Sequence, residues 1–198
     1  MKLLVSPASP YSAKCRMAAR HLALGVEEVR VDTNAEPPEL IDNNPLGKIP
    51  VLLRDGQKPV YDSVAIMQFF NRQSGGKLYP AEAQARTDAE VLEALADGIT
   101  DCLLAIIYER RFRPEDKVEQ SWIDKQWSKV TRGLDYLEAN LPVVGDTLHG
   151  GHFALAALIG YLDLRFAGKW ANGRPKLAAW PDQFSKLFPE FATVKPAA

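Results

Sequence analysis

Apolar residues follow two different patterns along this chain, and the change comes near residue 80. Before it, short alternating runs typical of strands are interleaved with short stretches at helical spacing. These predicted elements are strands at 2–6, 26–31, 49–53 and 58–61 and helices at 11–24, 37–42 and 64–72. Their order, β-α-β-α-β-β-α, predicts a small α/β domain.

Beyond Pro80 the strand pattern stops and long apolar stripes at helical spacing take over. The predicted helices are 86–112, 115–141, 153–166, 175–180 and 182–188. The third is apolar nearly all round, which is typical of the buried centre of a bundle. The predicted fold class is therefore α/β + all-α, with one domain at 1–76, a second at 85–198, and a linker at about 76–84.

Composition excludes several classes of partner and site. Lys+Arg 24 balances Asp+Glu 25 in 198 residues, so no basic surface for nucleic acid is expected. No apolar run reaches the ~18 residues of a membrane span, and the N-terminal run is too short for a signal peptide. Two cysteines without a disulfide framework indicate a reducing, cytoplasmic location. The three histidines form no recognisable metal motif, so we expect no metal.

The stretch Ser9-Pro10-Tyr11-Ser12 would be a dithiol redox turn if both serines were cysteines. Proline favours the first position of a helix, which makes Ser9 the expected N-cap. Ser9 could serve only as a cap. Alternatively, a helix N-terminus stabilises a thiolate, and that thiol would then belong to a ligand.

A second motif is Asn-Pro-Leu-Gly-Lys-Ile-Pro-Val-Leu at 44–52. A proline that opens a strand after a loop is a candidate cis bond, although an ordinary trans proline remains the alternative. A cis Ile49–Pro50 bond would turn the N–H and C=O of Ile49 outward. They could then pair with a peptide ligand as an added strand would.

The third motif, Asp62-Ser63, precedes the helix at 64–72. Either residue can simply cap that helix. The same helix end also offers N–H donors to a carboxylate, while Asp62 could hold an ammonium group. Together they could bind the head of an α-amino acid.

These motifs, in this order, resemble those of the glutathione S-transferase superfamily, particularly its bacterial serine-type members. The resemblance runs from end to end of the chain. It is carried by ASPYSAKCRMA, NPLGKIPVL, YDSVAI, LADGITDCLLAIIYERRFRP, GYLDLRF and FPEFATVKP.

The resemblance implies a thioredoxin-like first domain, a C-terminal helical bundle, and glutathione as the co-substrate. Ser9 is then the catalytic residue, donating its hydroxyl to the glutathione sulfur. The other glutathione-binding positions are Ile49 and Pro50 for the cysteinyl backbone, Asp62 and Ser63 for the γ-glutamyl head, and Lys48 for the glycine carboxylate.

The resemblance also implies a small hydrophobic electrophile, a homodimer and a role in detoxification. Tyr108 and Arg111 would border the electrophile site, although Arg111 could instead be solvated. Two other functions stay open: a glutathione- or ligand-binding or interaction module without turnover, and an isomerase of the zeta kind. The zeta class resembles Ser-Ser-x-Ser-Trp at the serine turn, which this chain lacks.

One stretch departs from the family pattern. The buried helix usually begins with Ser or Thr followed three residues later by Asp, whereas this chain has His149 and His152 there. We expect a lost helix cap, worth about 1 kcal/mol. We expect Cys15 and Cys102 to be packing residues, since free cysteine is usually buried.

Overall fold

The computed structural model describes residues 1–198, and its first part is built on one four-stranded sheet. The strands are β1 (Lys2–Val5), β2 (Glu27–Arg30), β3 (Val51–Arg54) and β4 (Gln57–Val60), arranged in the order β2-β1-β3-β4. The β1–β2 pair is parallel, whereas β1–β3 and β3–β4 are antiparallel. Helices α1 (Pro10–His21), α2 (Pro38–Ile41) and α3 (Ser63–Gln73) complete a thioredoxin-like unit, as predicted.

The rest of the chain is helical, and this confirms the predicted fold class. It consists of α4 (Ala83–Phe112), a 3-10 turn (Glu115–Lys117), α5 (Gln120–Ala139), α6 (Gly150–Phe166), α7 (Pro175–Leu187) and α8 (Phe191–Val194). Helix α6 packs against both α1 and α4. It therefore joins the helical part to the sheet part through one continuous apolar core, which extends from Leu3 to Val194.

Among the differences from the predicted helices, two have a clear structural cause. Helix α5 begins at Gln120 because the Glu119 carboxylate caps it, accepting from the Ser121 N–H at 3.1 Å. The two helices predicted at 175–180 and 182–188 are a single helix that continues through Pro181. Trp180 and Phe184 stack at 5.3 Å on its buried face, and this burial holds the helix together across the proline.

The start of α6 lacks the hydrogen bond from the N-cap side chain, as expected, since the His149 imidazole has no partner, but the reciprocal half of the capping arrangement is present. The N–H of His149, the N-cap residue, donates to Nδ1 of His152 at 3.3 Å. The two rings stack with centroids 3.6 Å apart. Burial lowers the pKa of His152 from 6.5 to about 3, and His149 acts in the same direction while the Val143 carbonyl opposes it. Imidazole can accept this bond only while Nδ1 carries no proton.

The two glycines that follow His149 have a steric reason. A Cβ on Gly151 would lie 2.6 Å from the carbonyl oxygen of Ala89 in α4, and a Cβ on Gly150 would meet the Tyr79 ring at 2.5 Å. The Gly150 N–H donates to the Leu78 carbonyl at 3.0 Å. Glycine thus lets α6 begin directly against α4 and the segment that connects the two parts.

Candidate functional site

Ser9 occupies the N-cap of α1, as the sequence predicts. Its Oγ accepts a hydrogen bond from the Ser12 N–H at 3.1 Å, and Pro10 is the first helical residue. A hydroxyl that accepts from the backbone still has its own proton to donate. Ser9 is half-buried. It can therefore donate to a ligand atom at a helix end that already favours negative charge.

Neither of the neighbouring polar groups in α1 competes for that position. Ser12 is fully buried, and its Oγ has no hydrogen-bond partner. Cys15 is also fully buried, and its Sγ lies 3.7 Å from the Ser63 carbonyl. Burial raises the pKa of the Cys15 thiol even though Lys14 acts in the opposite direction. The predicted packing position of Cys15 is confirmed, whereas Cys102 is half-buried.

The Ile49–Pro50 bond is cis, as predicted. The loop before it is fastened by Asn44, whose Nδ2 donates to the Lys48 carbonyl at 2.8 Å and whose Oδ1 accepts from the Leu46 N–H at 3.1 Å. Asn44 is buried, and its role was not predicted from the sequence. Ile49 precedes the first paired residue of β3, so its N–H and C=O stay outside the sheet ladder. The Lys48 side chain is exposed and forms no ion pair.

Asp62 caps α3, its Oδ1 accepting from the Val64 N–H at 3.1 Å. Asp62 is exposed, whereas Ser63 is buried. The contact from Cys15 Sγ to the Ser63 carbonyl ties this helix end to α1. Asp62 and Ser63, which were predicted to bind the γ-glutamyl head, therefore lie at the start of a helix that packs directly on the helix capped by Ser9.

Sheet pairing brings the three motifs to one edge. Val51 of β3 pairs with Leu4 near the end of β1. Because these strands are antiparallel, the start of β3 lies beside the end of β1, from which the chain runs on to Ser9. Pro50 and Ser9 thus share this edge, and the contact between α1 and α3 adds Ser63.

A buried charged network that was not predicted from the sequence lies behind α1. Lys14 Nζ, completely enclosed, lies 3.0 Å from Glu93 Oε1 and 2.5 Å from Asp97 Oδ2 of α4. The Tyr79 hydroxyl donates to Glu93. Burial alone would lower the pKa of Lys14, but Asp97 and Glu93 raise it. The only sequence signal is a lysine among apolar residues on the inner face of α1.

Within this network, the carboxyl group of Asp97 has a shifted pKa. Burial raises the pKa of Asp97 to about 6 against the opposing influence of Lys14, while Glu93 and Asp101 add to the rise. Two carboxylates, those of Glu93 and Asp97, thus contact one buried ammonium group. One turn further along α4, the Tyr11 hydroxyl donates to Asp101, which fixes Tyr11 two residues after Ser9.

The two residues predicted to border an electrophile site lie near the end of α4. Tyr108 and Arg111 are both exposed, with the Arg111 guanidinium carbon 6.0 Å from the centroid of the Tyr108 ring. Burial and the Asp101 bond raise the pKa of Tyr11, and Tyr108 contributes in the same direction.

No group of three or more His, Cys, Asp or Glu side chains is placed to hold a metal ion. None of the helices combines the length and apolar character that a membrane span needs.

Comparison with known proteins identifies the family models that fit this arrangement. Residues 3–78 match the glutathione S-transferase N-terminal domain, and residues 120–181 match the glutathione S-transferase C-terminal domain. The uncharacterized GST-like protein YibF of Escherichia coli K12 is 30% identical to this chain over 187 residues, covering 89% of this chain and 90% of that protein.

Solved structures of similar proteins cover the whole chain. A glutathione S-transferase from Methylobacillus flagellatus KT with glutathione bound is 34% identical, with a TM-score of 0.88 over 99% of each chain. A glutathione transferase family member from Pseudomonas fluorescens Pf-5 with bound S-(propanoic acid)-glutathione is 32% identical, with a TM-score of 0.83 over 100% of each chain.

Proposed function

Because the chain belongs to the glutathione S-transferase family, we propose that it is a glutathione transferase, which activates the glutathione thiol for attack on an electrophilic substrate. The observation that carries this proposal is the shared edge at Ser9, Pro50 and Ser63, reached from three separate elements. The glutathione-bound relative from Methylobacillus flagellatus supports the choice of ligand.

Ser9 is the proposed catalytic residue, which makes this a serine-type enzyme. Its Oγ is already oriented by the Ser12 N–H, so its proton can point to the glutathione sulfur. The thiol proton leaves to solvent, and the resulting thiolate is stabilised by this hydroxyl and by the helix end. The thiolate then attacks the electrophile.

The rest of glutathione is held by main chain and by a helix end. The Ile49 N–H and C=O, which lie outside the ladder, pair with the cysteinyl backbone beside cis-Pro50. Asp62 binds the γ-glutamyl ammonium, and the start of α3 at Ser63 binds its carboxylate. Lys48, exposed and without an acidic partner, reaches the glycine carboxylate.

The location, biological role, oligomeric state and domain organisation of the protein belong to the same proposal. We place the protein in the cytoplasm, in detoxification, as a homodimer whose chains each use a glutathione-binding domain at 1–76 and a helical domain at 85–198. Tyr108 and Arg111 border the electrophile site of the helical domain. The Pseudomonas fluorescens relative, whose bound glutathione carries a substituent on sulfur, supports such a site beside the thiol.

The test is Ser9→Ala with bound glutathione. A free thiol has a pKa near ~8.5, and a hydrogen bond to a charged group is worth roughly 1.5–3 kcal/mol. At about 1.36 kcal/mol per pKa unit, the bound thiol should titrate near pH ~6.5–7.5 by its ultraviolet absorbance. Ser9→Ala should move this titration upward and slow conjugation at neutral pH, with little change in glutathione affinity.

Ser9→Thr is the matched control, because it keeps both the hydroxyl and the helix cap. It separates thiol activation from the roughly 1 kcal/mol of stability that a lost cap costs. Binding of glutathione without any conjugation of a generic aryl halide would instead indicate a ligand-binding module. If Cys15→Ala rather than Ser9→Ala abolished turnover, the catalytic assignment would be wrong.

A further inference from the structure

The segment at 190–197, which contains α8, lies as a strap against the turn that leads into α1. The Ala197 N–H donates to the Pro7 carbonyl at 3.1 Å. Pro7 is the second residue of the turn at 6–9, whose first carbonyl accepts from the Ser9 N–H, also at 3.1 Å. The strap is therefore bonded to the main chain two residues before the proposed catalytic hydroxyl.

Two arginines of α1 hold the other end of the strap. Arg16 Nη1 donates to the Val194 carbonyl at 3.3 Å, and Arg20 Nη1 lies 2.9 Å from the Glu190 carboxylate. Both guanidinium groups also bind Glu28 of β2, at 2.6 and 2.8 Å. The strap thus lies along α1, with one end fastened to that helix and the other to the turn before it.

Helix α6 is shaped to receive the strap. Pro196 is buried, and a Cβ added to Gly160 would lie 2.7 Å from its Cδ and 3.1 Å from the Cβ of Lys195. Carbon atoms closer than about 3.5 Å repel each other, so a side chain at position 160 would push the strap away from α6. The glycine therefore sets how closely the Ala197 N–H approaches the turn.

Three of the motifs that carry the family resemblance meet at the strap. Gly160 opens the motif GYLDLRF, Pro196 ends the motif FPEFATVKP, and Pro7 directly precedes the motif ASPYSAKCRMA. The proposed glutathione contacts use the last of these motifs and leave the other two without a role. Their contact beside the Ser9 turn gives them one.

We propose that the strap holds the Ser9 turn in the geometry that activates the glutathione thiol, which makes Ala197 and Gly160 positioning residues. This inference rests on the proposed transferase function. A hydroxyl stabilises a thiolate only while it is held at the right distance and angle. A loosened turn weakens that hydrogen bond, whereas the proposed contacts of β3 and α3 with the rest of glutathione stay intact.

The test removes two contacts of the strap separately and titrates the thiol of bound glutathione by its ultraviolet absorbance. Ala197→Pro deletes the N–H that bonds Pro7. Ala197→Ser is the matched control, because it keeps this N–H and residue 197 is exposed. Gly160→Ala displaces Pro196 from the opposite side and leaves every backbone donor in place.

Ala197→Pro and Gly160→Ala should each raise the pKa of the bound thiol by about 0.5, a fraction of what the whole Ser9 hydrogen bond supplies. Below the thiol pKa, kcat should therefore fall about three-fold, with little change in the KM of glutathione. Near pH ~9, where the thiol ionises in every variant, the rates should return to that of wild type. A loss of folded protein alone would lower the rate equally at all pH values.

Hydrogen exchange of the wild-type protein gives a readout that needs no variant. Coupling between two sites is reciprocal, so bound glutathione should slow the exchange of the Ala197 amide. S-methylglutathione, which has no ionisable thiol, should slow it less. This comparison decides the question if both variants fail to fold, and equal protection by the two ligands would overturn the role of the strap.

Failure of this inference and failure of the proposed function give different results. A thiol titration that Ser9→Ala shifts, but that Ala197→Pro and Gly160→Ala leave unchanged, overturns the role of the strap alone. A thiol that titrates in the wild-type complex as it does in free glutathione overturns the transferase proposal and this inference with it.

Discussion

Ser12 lies in the first turn of α1 with a fully enclosed hydroxyl that lacks a hydrogen-bond partner. A buried polar group without a partner destabilises the fold, so Ser12→Ala should raise the free energy of unfolding by about 1 kcal/mol. The backbone N–H of residue 12, which bonds Ser9, remains in the variant. Denaturant unfolding measures this change.

The same variant is a control for the catalytic assignment. The thiolate titration and conjugation rate of Ser12→Ala should match those of wild type. A destabilised protein, or one whose bound thiol titrates at higher pH, would show that the Ser12 hydroxyl has a partner in the folded protein.

At the scale of residues, the sequence predicts those positions whose local chemistry repeats a known motif. Ser9 and Asp62 cap helices, and Ile49–Pro50 is cis, as expected. Asn44, whose partners lie within four residues, was quoted in a motif without being given a role, whereas Lys14 was missed because its partners are set by the fold. Lys14 finds its carboxylates about eighty residues away, on a helix whose docking no local pattern specifies.

At the scale of elements, the capping pair at the start of α6 should make stability depend on pH. His152 titrates near 6.5 when unfolded and at about 3 when folded. The contribution of neutral His152 to the free energy of unfolding is complete above pH 6.5 and is lost as the pH falls from 6.5 toward 3. Between about pH 7 and about pH 5 the loss should be roughly 2 kcal/mol. Denaturant unfolding at both pH values measures it.

The comparison is made with His152→Asn, which keeps an acceptor for the His149 N–H but does not titrate. Asp97 acts oppositely, since its pKa is raised to about 6 and its protonation favours the fold as the pH falls. Because Asp97 contributes equally to both proteins, their difference reports the stacked pair, His152 together with His149, whose pKa burial also lowers. Equal pH dependence of wild type and His152→Asn would show that the histidine cap does not titrate in this range.

Both departures from the predicted elements have one physical cause: packing in the folded protein outweighed a local preference. Proline at 181 locally favours a break, so the sequence predicted two helices in place of α7. The burial of Trp180 and Phe184 on one face decides otherwise. Likewise, two histidines without hydroxyl or carboxylate predicted an uncapped helix. The His149 N–H donates to Nδ1 of His152, and this reciprocal bond is not evident from local preference.

At the scale of the molecule, the proposed homodimer predicts that some of the exposed apolar side chains are covered by a second copy. Val91 on α4 and Tyr136 on α5 are 58% and 57% exposed, while Tyr61 and Val64 at the start of α3 are 38% and 43% exposed. In a two-fold dimer, the first pair on one chain would cover the second pair on its partner. Light scattering should therefore give about twice the 21.9 kDa of one chain.

Val91→Asp should shift this dimer toward monomer at micromolar concentration, because it places a charge in an apolar interface. Leu187→Asp is the matched control, since Leu187 is also partly exposed, on α7. A wild-type mass of 21.9 kDa at these concentrations would contradict the dimer.

The buried ion pairs of Lys14 limit how freely the two parts of this chain can be recombined. The ammonium group is encoded in the first part, and both carboxylates that neutralise it are encoded in the second. A hybrid that joins residues 1–76 to the helical part of a relative without these acids would bury an uncompensated charge, at a cost of about 3–5 kcal/mol. The two parts are therefore coupled in inheritance, and shuffling them between relatives requires exchanging Lys14, Glu93 and Asp97 as one unit.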